Sequence, residues 1–371
     1  MKFIRPILSL LLLGFITTQN YAQTTHKLYV GILLPFYSDT SSGISQQQIS
    51  QAALDYYAGL RIAANDLNDW NLSVNLRVWD VQTMNDSALI KLPKSAEFQK
   101  LDVFIGPIAQ KHVDLISKNL QHTRFLWVSP LTTLKLPKAV QNINFFAHDS
   151  LRIKGLIQQL KLSFPNHDFC LISDKKNPKV TQFYKKELEA AKLAFTVHQY
   201  NGNKIVPKIS SRSQSMILVN AGTSSFSRLA EYPYISRKAD SYIVGDLNWI
   251  DEVTAAEEID ETKIIYPSVN FINGVDSLSL KFTQKFVQEE LSEPSKFAFQ
   301  AYDQLFYLGA HFASQGAYDL TKIPKATYSG LINNFFLFKT GPNTYHNQGI
   351  RLIRNEKIEL AEVEEENEES K

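Results

Sequence analysis

Eight histidines and a single cysteine are the side chains of this 371-residue chain best suited to nucleophilic, metal or proton-transfer chemistry. The histidines stand at 26, 112, 122, 148, 167, 198, 311 and 346, with no i, i+4 pair to grip a metal from one helix face. His148 beside Asp149 comes nearest to an acid–base pair. Neighbours on an extended segment point to opposite faces, so a local hydrogen bond is the expectation there. Cys170 sits in the apolar run Phe169-Cys170-Leu171-Ile172, which predicts a buried, inert thiol. One cysteine also excludes an intramolecular disulfide framework and any multi-cysteine zinc or iron–sulfur centre. The sequence holds no His-Glu-x-x-His, no Gly-x-Ser-x-Gly, no phosphate-cradling glycine loop and no Cys-x-x-Cys. Acid pairs of the glycosidase kind stay open, because spacing does not reveal their geometry. The expectation is a protein that binds without catalysing: no catalytic residue, no metal ligand, no cofactor.

The charge balance of +2 conceals two unlike ends. Lys2 and Arg5 precede an apolar run from Ile7 to Ile16, and Asn20-Tyr21-Ala22 precedes Gln23. This reads as a signal peptide over 1–22, cleaved near Ala22/Gln23, too short to span a bilayer and without a lipobox cysteine. The other end, 361–371, is an acidic run carrying −5, expected to stay solvated and disordered. Without both ends the body carries +5, which is too mild for a dedicated nucleic-acid binder and compatible with anionic ligands or envelope polymers.

The elements that would position a site alternate regularly. Lys27–Phe36, Asn75–Val81, Asp102–Pro107 and Arg124–Pro130 read as strands, with helices over Gln51–Leu67 and about Gln110 to Leu120. The rhythm restarts at His167–Asp174, Pro178–Leu193, Ala194–Tyr200, Ser215–Gly222, Ser241–Asp246 and Ile264–Asn270. Helices follow at Ser277–Leu291 and Pro294–Ala313, then a β-pair of Phe335–Thr340 with Ile350–Leu360. Continuous apolar strands of this kind suit parallel sheets covered on both faces. In such sheets ligands lie beyond the carboxyl ends of the strands, where Ser, Thr, Asn and Gln recur here. Those same residues also cap helices, which strand-to-helix loops require anyway.

Several segments together resemble the type I periplasmic binding proteins, in their leucine-binding-protein-like branch. They are Val30-Gly31-Ile32-Leu33-Leu34-Pro35-Phe36, Tyr57 to Leu67, Val103-Phe104-Ile105-Gly106-Pro107, Val128-Ser129-Pro130, Phe146 to Ser150, and Ala301 to Tyr307, in the family's order. The resemblance implies an α/β chain of two doubly wound parallel-sheet lobes joined by a three-crossover hinge. Lobe 1 is expected over 23–147 and 275–330, and lobe 2 over 148–274 and 331–360. Crossings are expected near Ala147–Leu151, Pro267–Gly274 and Thr327–Asn334. A small ligand would lie between the lobes, lined by Phe36, Tyr37, Gln110, Thr132, Thr133, Asn220, Asp246 and Asn248.

The carry-over is uneven. Ile108-Ala109-Gln110 stands where amino-acid binders have a serine-rich turn, whereas Thr132 and Thr133 are kept. Asp174-Lys175-Lys176-Asn177 replaces the usual acid-plus-tyrosine-glycine turn, and Asp246 with Asn248 are expected to take over the amine. The start Leu33-Leu34-Pro35-Phe36-Tyr37 looks like Bacteroidetes-type members, where related modules are joined to LysM repeats, although none is visible here. Two functions follow from the resemblance. One is a periplasmic solute-binding protein for a small polar or anionic ligand, partnered by an ABC permease. The other is a ligand-free envelope module that meets a cell-envelope protein or regulates peptidoglycan. Neither spans the membrane or binds nucleic acid.

Overall fold

The computed structural model describes residues 26–37, 44–120, 124–146, 149–174, 178–200, 215–221, 240–245, 263–272, 276–316, 319–323 and 328–354. The expected signal peptide and acidic tail lie outside these residues, as do Asp246 and Asn248.

The first sheet is built by β1 (His26–Leu34), β2 (Leu72–Asp80), β3 (Val103–Ile105), β4 (Leu126–Ser129) and β5 (Asn142–Asn144). Helix α1 (Ile44–Leu67) joins β1 to β2, α2 (Asp86–Lys91) follows β2, and α3 (Gln110–Ser117) joins β3 to β4. The chain then enters α4 (Asp149–Ser163) and a second sheet of β6 (Asp168–Asp174), β7 (Phe195–Tyr200), β8 (Ser215–Ala221), β9 (Asp240–Val244) and β10 (Ile264–Ser268). Helix α5 (Pro178–Ala190) lies between β6 and β7. Next come α6 (Ser277–Glu290), α7 (Lys296–Gln315), β11 (Tyr328–Ser329), β12 (Asn334–Phe335), β13 (Leu337–Lys339), β14 (Thr344–Asn347) and β15 (Arg351–Arg354).

Strand order is β13-β14-β5-β4-β3-β1-β2 in one sheet and β15-β10-β9-β8-β6-β7 in the other. Within each, the five strands laid down first run parallel in the doubly wound order 2-1-3-4-5. This is the expected architecture of two α/β lobes. Its cause is burial on both faces: Leu28, Val30 and Ile32 of β1 pack against α1 and α7, while Leu33 faces an aromatic cluster of Phe98, Phe104, Phe125 and Trp127 on the opposite side. The Trp127 indole N–H is satisfied in that core by the Gly106 carbonyl at 2.6 Å.

The C-terminal part departs from expectation. The turn at 341–343 joins β13 to β14, and β14 pairs in parallel with β5 at the edge of the first sheet. Only β15 pairs in the second sheet, antiparallel to β10. The third crossing is therefore Asn347–Arg351, not 327–334, and among the described residues Phe335–Thr340 pairs with 344–347 and not with 350–354. Residues 328–335 instead form the small β11–β12 hairpin, which touches the second crossing through the Asn270–Asn333 bridge.

Helices α6 and α7 return to the first lobe because α7 packs along α1. At Gly59 a Cβ would stand 2.1 Å from the Ala298 carbonyl oxygen, so the two helix backbones meet with no side chain between them. Tyr56 hydroxyl donates to Gln304 Oε1 at 2.6 Å beside this contact. Gly59→Ala must push the helices apart, and we expect a loss of about 1–3 kcal/mol in denaturant unfolding. A variant as stable as the parent would show that the two helices are not in backbone contact.

Candidate functional site

The first-lobe strand ends form one rim. Phe36 follows β1, where its N–H donates to Asp80 Oδ1 at 3.1 Å and its ring meets Tyr57 edge-on at 6.2 Å. Tyr37 is half-buried with φ of 48°, a left-handed conformation. Gln110 begins α3 and binds the 132–135 loop at both ends of its amide. Its Oε1 accepts from Lys135 N at 2.9 Å, and its Nε2 donates to Lys135 O at 3.1 Å and to Asp114 Oδ1 at 2.9 Å. Thr132 Oγ1 donates to Ile108 O at 3.2 Å, and Thr133 Oγ1 donates to Phe146 O at 2.8 Å. Ser129 Oγ donates to Thr132 O.

The structure thus brings Gln110, Thr132 and Thr133 onto one pair of loops, with Phe36 and Tyr37 on the strand end beside them. A hydroxyl has one proton to give. Here each is given to the protein's own backbone, so the lone pairs are what remain for a ligand. That is the wrong polarity for a carboxylate. Asn220 is in β8, in register with Ile172 of β6. Asp246 and Asn248 are outside the described residues.

A group of residues that the sequence reading gave no role ties the crossings together. Asp303 of α7 is 2% exposed, and it accepts from Leu331 N at 2.6 Å and from Ile332 N and Asn333 N at 2.9 Å each. Burial pushes its carboxyl up to about 6, against the pull of those three amides and the charge of Arg351. Arg351 opens β15 and reaches back over the same hairpin. Its Nη1 donates to Leu331 O at 2.9 Å and Phe271 O at 3.2 Å, its Nε donates to Asn334 Oδ1 at 3.0 Å, and its Nη2 donates to Gly330 O. Asn333 Nδ2 donates to Val269 O at 2.8 Å, and Phe271 N donates to Ile332 O at 2.9 Å. The available signal was Asp303 itself, an acid amid the apolar residues of a long helix.

Beside this network lies a cavity of about 220 Å³, lined by Asp149, Arg152, Tyr184, Pro267, Ser268 and Ile350 among others. A smaller pocket adjoins it, with Phe146, Asn333, Asn347 and Gln348 in its wall. Gln348 is 3% exposed, and neither end of its side-chain amide is bonded to any of the described residues. The backbone of the third crossing also touches α4: a Cβ on Gly155 would stand 2.2 Å from the Gln348 carbonyl oxygen. Among the described residues no three His, Cys, Asp or Glu side chains gather to hold a metal. Among the same residues no helix is long and apolar enough to cross a membrane.

No family model matches the chain, and no curated protein matches its sequence. Solved structures do. The C-domain of LpoA (YraM) from Haemophilus influenzae, a regulator of PBP1A, superposes with a TM-score of 0.53 at 13% identity, over 88% of this chain and 99% of that one. A protein named as a branched-chain amino acid ABC transporter from Rhodospirillum rubrum gives 0.53 at 12% identity, over 88% and 96%. A similarly named protein from Chromobacterium violaceum gives 0.51 at 11%, over 88% and 100%. The chain has the type I periplasmic binding protein fold.

Asp303 yields a pH test. Its folded-state value of about 6 lies above the ordinary aspartate value of about 4. The folded state therefore holds this proton more tightly than the unfolded state, an increment that is full below about pH 4 and lost as pH rises through about 6. Asp303→Asn turns an amide N–H₂ toward the hairpin N–H groups and removes the titration. Relative to this variant, the wild-type advantage in unfolding free energy should shrink by up to about 3 kcal/mol across that window. A difference independent of pH would contradict the assignment.

Proposed function

We propose that the chain is an exported, non-catalytic recognition module of the cell envelope, which uses the two-lobed fold to meet a partner protein or wall polymer and does not capture free amino acids. The observation that carries this reading is the commitment of the Ser129, Thr132 and Thr133 protons and the Gln110 amide to the protein's own backbone and Asp114. Releasing them for a ligand forfeits about 1 kcal/mol each, much of what each would return in a new hydrogen bond. The likeness to LpoA, itself a regulator of PBP1A, supports the same direction. Fold alone hosts many functions, so the weight rests on the rim.

A second reading is favoured by the hinge cavity: Arg152 and the unbonded Gln348 amide offer donors to a small polar or anionic solute handed to an ABC permease. In that reading the sequence-derived cleft residues of the first lobe shape the entrance, and Asp246, Asn248 and Asn220 contribute from the second.

Thermal shift of the protein against amino acids, small acids, sugars and muropeptides separates the two. We expect no free amino acid to move the melting temperature, and a PBP1A homologue from the same cell to bind in surface plasmon resonance. A rise of several degrees with any amino acid at saturation, abolished by Arg152→Ala, would establish solute capture instead.

A further inference from the structure

A larger cavity, of about 330 Å³, opens on the first lobe between α1, α6, α7 and the β11–β12 hairpin. It shares no lining residue with the strand-end rim or the hinge cavity. One wall is aromatic. Tyr302 and Phe306 stack at 5.6 Å with an interplanar angle of 12°, and Phe282 meets Tyr302 edge-on at 5.0 Å. Trp70 extends this wall by packing edge-on against Phe306 at 5.7 Å.

The rim is unusually apolar for a surface. Leu278 is 63% exposed, Trp70 54% and Tyr328 36%. Exposed apolar side chains are ordinary when scattered singly, whereas a cluster around a concavity marks a binding surface. These three converge on one opening, two as lining residues and Trp70 through Phe306.

The charges are arranged asymmetrically. Asp66 accepts from Tyr302 hydroxyl at 2.9 Å and forms an ion pair with Lys285. Both members of that pair are occupied, and the Tyr302 ring is fixed in place by it. Lys281 lies four residues before Lys285, hence on the same face of α6. It lines the cavity, is exposed, and has no acidic partner among the described residues. Asp303 also lines the cavity, but its carboxylate is held by the Leu331, Ile332 and Asn333 N–H groups with the charge of Arg351 beside it. Of the four charged side chains in the wall, Lys281 is therefore the one without a partner, beside a fixed aromatic wall.

We propose that this cavity binds a small aromatic monocarboxylate, with its ring against Tyr302 and Phe306 and its carboxylate at Lys281. The volume is at the small end of ligand pockets, enough for one ring and a short acid arm. Two charges on the ligand would leave one unpaired, and an aliphatic chain would forgo the edge and face contacts that the wall offers. The cavity shares Asp303, Gly330 and Leu331 with the network at the crossings but no lining residue with the strand-end rim or the hinge cavity, so the proposal does not depend on what those two bind.

The probe is 4-hydroxyphenylacetate, followed by saturation-transfer NMR and calorimetry on the purified protein at low salt. We expect saturable binding that weakens about tenfold in Lys281→Glu and about tenfold for the uncharged 4-hydroxyphenylacetamide. Leu278→Asp should weaken it as well, while Thr132→Val on the strand-end rim leaves it unchanged. Lys281 and Leu278 are exposed, so both variants should melt as the parent does. No saturation transfer at about 1 mM probe would overturn the proposal. So would an affinity that survives both Lys281→Glu and Leu278→Asp, since the ligand would then sit elsewhere.

Discussion

Three consecutive backbone N–H groups, those of Leu331, Ile332 and Asn333, converge on the buried carboxylate of Asp303, and the carbonyls of Gly330 and Leu331 just before them receive Arg351. A hairpin of two-residue strands has little stability of its own. Pinned from one side by an acid of α7 and from the other by a base of β15, it joins the lobes. Through it the second crossing is fastened at Val269 and Phe271 and the third at Arg351. Helix α7 in turn is held to α1 by the Gly59–Ala298 contact and to the strand-end loop by Gln304 Nε2, which donates to Pro130 O at 3.0 Å. Without the Asp303 carboxylate, three buried N–H groups would lose their acceptor at once, each costing about 1–3 kcal/mol. The hairpin that links the crossings is thus held by Asp303 together with Arg351.

The rim and the hinge divide polar chemistry between them. At the rim, polar side chains serve the local backbone and hold loops in shape. At the hinge, Arg152 lines a real cavity, and Gln348, in the wall of the pocket beside it, keeps an unused donor and acceptor. By sequence, the ligand is expected between the lobes, with Thr132 and Thr133 as the half of the first-lobe site that is kept. Their partners are carbonyls of Ile108 and Phe146, 24 and 13 residues away in sequence. No spacing rule anticipates that.

What was legible followed from burial. Strands β1 and β4 are buried on both faces, and a covered parallel strand has to be apolar on both, so each is written in one short window. Strand β5 is Asn-Ile-Asn and reads as a loop, yet all three residues are buried. Asn142 Nδ2 donates to Pro137 O and Val140 O, and Asn144 Oδ1 accepts from Leu134 N, so the amides serve the loop before them. Helix α4 repeats Ile153, Leu156, Ile157 and Leu160 at helical spacing, a pattern available in the sequence but not assigned to an element there. The third crossing was misplaced for a different reason: β14 joins the first sheet by pairing with β5, itself unread. Asp303 and Arg351 were invisible as a pair because 48 residues and a lobe boundary separate them.

The contact between Gly155 of α4 and the carbonyl of Gln348 leaves two backbones touching at the junction of the lobes. Mechanically it is a fulcrum. The crossings leave the first sheet at β5 and β14, whereas β2 forms the opposite edge, four strand spacings or about 19 Å from β5. Were one lobe to turn by about 10° about this contact, the end of β2 would travel about 3 Å. Gln82 and Thr83, exposed just past that strand, are the long arm of the lever. A partner resting there would sense the angle between the lobes.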